Sequence, residues 1–123
     1  ATYNVFEQAP GSSLAAAHKQ GIAIIVKEAM ANGRVLSNAA LLKHAAELDC
    51  SPDALALACV LAQPFEPHVL SGAVTADQVS SNLGALPVAE RLRRDPELLG
   101  RIMGETWQDS EAYWAERAAL AWN

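Results

Sequence analysis

The sequence predicts an α/β fold of about three βα units with a helical tail, and three observations predict it. The first is Ile22 to Lys27 (IAIIVK), a continuous β-branched run behind Gly21, which is how a strand covered on both faces reads. The second is Pro67 to Asn82 (PHVLSGAVTADQVSSN), a short apolar run that ends in Ser71-Gly72-Ala73 and opens at Thr75 into a helix. The third is the spacing of strand-like, helical and strand-like stretches over Ala1 to Lys27, a βαβ unit whose crossover makes the two strands parallel.

Taken in order, Ala1 to Gln8 (ATYNVFEQ) is strand-like in type, as though the chain begins inside an element. Ala9-Pro10-Gly11-Ser12-Ser13 supplies turn and cap signals for an alanine-rich helix over Leu14 to Gln20, which Gly21 closes. After the second strand, Glu28 to Leu36 reads as a loop broken at Asn32-Gly33, and Ser37 and Asn38 offer caps for a helix to about Leu48 with Leu41, Leu42, Ala45 and Leu48 on its apolar stripe. Ser51-Pro52-Asp53 starts another helix, with serine as cap and proline at the first helical position, running to about Gln63 and burying Leu57, Ala58 and Leu61. Pro64 and Pro67 separate it from the third strand, Val69 to Ala73, and a helix from Thr75 to about Leu86. The order is βα–βαα–βα over residues 1–86. Residues 87–123 form a tail of two amphipathic helices, with Asp95-Pro96 offering a break in the first and the second running from Glu111 to about Trp122. Trp107, Trp114 and Trp122 read as anchors that dock this tail, with a binding surface as the other reading.

Composition narrows the function classes. The 123 residues are 51% hydrophobic and 19% charged, ordinary for a single globular domain. A net charge of −5 argues against nucleic acid, whose phosphates reward clustered cations, and the one basic knot, Arg91, Arg93 and Arg94, is diluted by Glu90, Asp95 and Glu97. Cys50 and Cys59 have no C-x-x-C spacing and read as small apolar residues in a reducing, cytoplasmic setting. The longest apolar runs fall far short of the ~20 residues that a membrane span needs.

The stretch with the most chemistry is the third βα turn. Thr75-Ala76-Asp77-Gln78 has the form of a capping box, so the free N–H groups of the helix point back at the loop carrying Gly72, a place that attracts anions. Gln78, Ser81 and Asn82 lie on or near one face. An ordinary capped βα unit, in which Gln78 only closes the box, accounts for the same residues. His18, His44 and His68 show no ligand spacing and read as surface or capping groups rather than metal ligands.

The combined pattern GIAIIVKEAMANGRV, AAELDCSPDALALACVLAQP, HVLSGAVTADQVSSNLGAL and AYWAERAALAWN resembles the C-terminal part of aldo-keto reductases, in order and over nearly the whole chain. Those enzymes are (β/α)8 barrels that lay a nicotinamide cofactor across the C-terminal ends of the strands. The resemblance implies that the chain supplies strands six to eight of such a TIM-type barrel, Ala1 to Glu7, Ile22 to Lys27 and Val69 to Ala73. It also implies that Lys27, Glu28, Met30 and Asn32 run along the nicotinamide and pyrophosphate. Gly72, Ala73, Gln78, Ser81 and Asn82 would hold the adenosine end, Asn82 keeping the family's usual amide toward the adenine edge. Two departures bear on the cofactor. Lys27 stands where many members stack an aromatic ring, and Gly72 and Gln78 stand where others carry a lysine and an arginine for the 2′-phosphate, so weak discrimination between NADP and NAD is expected.

The family's catalytic aspartate, tyrosine, lysine and histidine precede the sixth strand, and nothing here matches them: Tyr3 is on a strand expected to be buried and Tyr113 is in the tail. Two functions follow as expectations. One is the cofactor-binding part of a carbonyl-reducing oxidoreductase, inactive unless complemented by an N-terminal barrel portion. The other is a non-catalytic half barrel that pairs its strand edges with a second copy of itself, since parallel strands of this type are poor candidates for lasting exposure.

Overall fold

The computed structural model describes residues 1–121 as a mixed α/β fold dominated by helices. In chain order these are α1 (Gly11–Lys19), β1 (Ile25–Val26), a 3-10 segment (Ala31–Ser37), α2 (Ala39–Glu47), α3 (Pro52–Leu61), β2 (His68–Val69), α4 (Ala76–Leu83), α5 (Ala85–Arg94), α6 (Pro96–Thr106) and α7 (Ser110–Ala118). Most helix starts follow from local chemistry. The Asn38 side chain accepts from the Leu41 N–H, Ser51 from Ala54, Thr75 from Gln78, Asp95 from Leu98 and Asp109 from Ala112. Proline follows the cap directly in α3 and α6, where its missing N–H costs nothing. Gly21, at φ +83°, ends the α1 turn in the left-handed conformation.

The sheet is parallel and short. Ile25 pairs with His68 and Val26 with Val69, and a single parallel bridge from Thr2 to Lys27 adds the N-terminal segment on the other side of β1. The three extended segments therefore lie in the order N-terminus, β1, β2. They are shorter than the sequence predicts, for local reasons. Asn4 turns the first segment at once, its Oδ1 accepting from the N–H groups of Phe6 and Glu7. The third ends its ladder with the Leu70 N–H on the Val26 carbonyl, because Ser71 Oγ captures the Ala73 N–H and Gly72 turns to φ +73°.

The expectation that Ile22 to Lys27 is covered on both faces is not met. Ile24 and Val26 are buried, whereas Ile25 and Leu70 are 56% and 58% exposed, because every helix packed on the sheet lies on one side. The described residues do not close into a barrel. They form one layer of helices on a narrow sheet whose other face, with Ala23, Ile25, Lys27, His68 and Leu70, is bare.

The core centres on α3, where every residue from Ala54 to Val60 is buried. It packs against β2, the 3-10 segment, α2, α4 and α5. Burial of side chains such as Leu55 and Val60 stabilises by about 1.5–3 kcal/mol each. Alanines at 85 and 89 on α5 and at 54 and 58 on α3 keep these helices slim where they meet. Gly84 turns α4 into α5: a Cβ there would stand 3.1 Å from the Ser81 carbonyl oxygen and 3.7 Å from the Ala54 methyl. The break thus falls before Ala85, and the boundary read at 86/87 sits inside α5. The chain breaks again at Asp95-Pro96, where Asp95 caps α6.

The tail returns to the N-terminus. Glu7, 1% exposed, accepts from the Ala9 N–H (3.0 Å), the Ser110 hydroxyl (2.5 Å) and the Trp114 indole N–H (2.7 Å), which disperse the charge of a buried carboxylate. Trp114 is therefore an anchor, Trp107 is 57% exposed and is not, and Trp122 lies outside the described residues. His44 is buried on α2 and binds Glu105 of α6, whose carboxyl that contact holds below its usual range. Among the described residues, no helix is long and apolar enough to cross a membrane.

Candidate functional site

Two loops leave the sheet on the same side, at the C-terminal ends of β1 and β2, and the concave surface between them gathers the residues singled out in the sequence. The larger hollow, about 610 Å3, is lined by Met30, Gly72, Ala73, Gln78, Ser81 and Asn82, together with Asp53 and Asp77. An adjoining hollow of about 310 Å3 is lined by Glu28, Met30, Asn32 and Gly72. Met30, Gly33 and Gly72 belong to both, so the two form one groove. Lys27 stands apart from it. Its side chain is on the bare sheet face, and its N–H donates to the Ala1 carbonyl.

The loop after β1 is wound tightly. Glu28, Ala31 and Asn32 adopt φ of 57°, 49° and 59°, and Gly33 follows at 85°, a concentration of left-handed backbone that non-glycine residues adopt only under constraint. The constraint comes from the tail. The Arg117 guanidinium donates to Glu28 Oε1 from two nitrogens at 3.3 Å, and the Tyr113 hydroxyl donates to Glu28 Oε2 at 3.4 Å. Asn4 Nδ2 donates both to the Glu28 carbonyl and to the Tyr113 oxygen. Arg34 stacks 4.5 Å above the Tyr113 ring, donates to the Ala31 carbonyl and pairs with Glu116. Burial pushes the Tyr113 hydroxyl above its usual range, and at 0% exposure the ring is a strut with no access to a substrate.

The loop after β2 is simpler. Thr75 Oγ1 accepts from the Gln78 N–H (3.1 Å), and Gln78 Oε1 reaches back to the Val74 N–H (2.8 Å). The box is closed, and the carbonyl oxygen of Gln78 is committed to it. Gly72 has nothing within 4 Å of where a Cβ would stand, so the backbone here lies open to a ligand.

Below this loop, Asp53 of α3 collects the Ser81 hydroxyl (3.0 Å) and the Asn82 amide NH2 (2.9 Å). Burial works against its charge, but hydrogen bonds from Ser51, Ser81 and Asn82 outweigh it and hold the carboxyl below its usual range. Asn82, 9% exposed, keeps a side-chain carbonyl oxygen that is buried and has no partner among the described residues. Such an atom is costly, and a donor in the groove meets it only when the side-chain amide turns outward.

Sequence reasoning missed Asp53, which reads only as a first-turn acid suited to the helix dipole. It also missed the Asn4–Glu28–Arg34–Tyr113–Arg117 cluster, whose members are brought together by the fold alone. The described residues contain no cluster of His, Cys, Asp and Glu able to hold a metal ion. The groove offers Met30, Gly33 and the open Gly72 backbone as its accessible surface. No family model matches the chain, and no curated protein or solved structure matches it.

Proposed function

We propose that the chain is the dinucleotide-binding part of a carbonyl-reducing oxidoreductase of the aldo-keto reductase type, with strands corresponding to the sixth, seventh and eighth of a (β/α)8 barrel. The observation that carries this reading is the unpartnered, buried Asn82 oxygen in a groove closed by two βα loops at the C-terminal ends of parallel strands. Ligands of open parallel sheets settle at that end. Once the Asn82 amide turns toward the groove, an adenine amine supplies the donor that its oxygen lacks, and the glycine at 72 lets the ring approach the main chain. Hydride transfer also needs a proton donor beside the carbonyl, and the buried Tyr113 and Tyr3 are not placed to be one. The chemistry in this reading is completed by residues of a complementary barrel portion.

Titration of the chain into NADH, followed by cofactor fluorescence, tests the proposal. Saturable enhancement, weakened roughly tenfold by Asn82→Ala through loss of one buried hydrogen bond, is the expected result. No enhancement, or none of the dependence on Asn82, contradicts it.

A second reading is favoured by a different observation, the bare sheet face with exposed Ile25 and Leu70 beside the unpaired outer edge of β2. In it the chain is a half barrel that covers this face with a second copy and has no catalytic role. A symmetric dimer in sedimentation that Leu70→Glu converts to monomer, with no response to NADH, would replace the first reading by this one.

A further inference from the structure

We infer that the groove selects against a phosphate on the adenosine 2′-hydroxyl, so that the dinucleotide it accepts is NAD(H) and not NADP(H). The inference rests on the dinucleotide reading above and sharpens it, because neutral residues at 72 and 78 on their own imply only weak discrimination.

The observation is the sign of the charge around the hollow. Among the described residues, the only charged side chains that line the larger hollow are Asp53 and Asp77, and neither makes an ion pair there. No lysine, arginine or histidine borders either hollow. The two arginines that hold the loop after β1 are already committed: Arg34 to Glu116 and the Tyr113 ring, Arg117 to Glu28. At the pyrophosphate end the one acid, Glu28, is balanced by Arg117, so that half of the groove is close to neutral. At the adenosine end the balance is wholly acidic.

Asp53 is a fixed charge, because the two donors on its carboxylate, Ser81 and Asn82, hold it ionised. Asp77 lies in the first turn of α4 and lines the same hollow. A 2′-phosphate dianion brought into this hollow meets two carboxylates with no cation between them. A ribose diol brings no charge and offers hydroxyl donors that a carboxylate accepts.

The test compares NADH with NADPH as titrants of the complete chain, by calorimetry at low and moderate salt, with Asp77→Lys as the variant. The expected result is binding of NADH at least ~10-fold tighter than NADPH, a gap that narrows as salt screens it. Asp77→Lys should shift the preference toward NADPH by ~10-fold or more, read as the ratio of the two affinities in the variant against the unmodified chain. Equal or tighter binding of NADPH by the unmodified chain, with NADH still binding, overturns this inference and leaves the dinucleotide reading intact. Failure of both cofactors to bind overturns the two together. Variant folding is checked by circular dichroism, and the comparison on the unmodified chain decides the matter without it.

Discussion

The two walls of the groove are built in opposite ways. The loop after β1 is held from a distance: Glu28 and the left-handed Ala31–Asn32–Gly33 turn depend on Asn4 at one end of the chain and on Tyr113, Glu116 and Arg117 at the other. The loop after β2 is held by itself, through Ser71, Thr75 and Gln78 bonding to backbone two to four residues away. Strained backbone costs on the order of 1–3 kcal/mol per residue, so the first wall exists only because the tail offsets that cost. The second wall contains one demanding position, φ +73°, and a glycine fills it. A site assembled this way has one wall that reports on the whole fold and one that forms with its own helix.

The strongest way to break this contrast is Tyr113→Ala. Loss of a fully buried ring that also supports Glu28 and Arg34 should destabilise the chain by about 3–5 kcal/mol in denaturant unfolding. Hydrogen exchange should then rise at Met30 to Val35 well before it rises at Val74 to Gln78. Equal loosening of both loops would show that they are not independent. Thr75→Ala is the complementary change. Removal of one cap should cost about 1 kcal/mol, with exchange faster only in the first turn of α4. A change in the Glu28 loop in that variant would contradict the local account.

The smallest effect concerns pH. Burial, with a further contribution from the nearby Cys59, pushes the Tyr3 hydroxyl from its usual 10.0 up to about 12. Since the folded value is the higher one, the contribution is complete below the unfolded value and is lost as pH rises from about 10 toward about 12. The denaturation midpoint should therefore fall across that window, and Tyr3→Phe should flatten part of the fall. A midpoint independent of pH there, or identical slopes in the two proteins, would place Tyr3 in a wetter setting than its 4% exposure implies.

The same contrast explains what was legible in the sequence. Caps at Asn38, Ser51 and Thr75, the stop at Gly21 and the parallel relation of the segments near residues 2, 26 and 69 are encoded within a few residues, and they read correctly. Strand lengths did not, because Asn4 and Ser71 divert the backbone through side-chain bonds that compete with the ladder. The IAIIVK run reads as covered on both faces, yet Ile25 is exposed: a sequence records that a residue is apolar and not whether anything arrives to cover it. In the groove, the positions after β2 lie together because they share one turn and one helix. Asp53 and the Tyr113–Arg117 strut were invisible for the converse reason, being joined to the groove only by the packing of α3 and α7.

The most direct test of the groove itself is a two-dimensional amide NMR titration of the chain with NADH. The account predicts shifts concentrated on Met30 to Gly33, Gly72, Ala73 and the Asn82 side-chain amide, with little change along α6. Shifts confined to the bare sheet face around Ile25 and Leu70, or no shift at saturating cofactor, would contradict it.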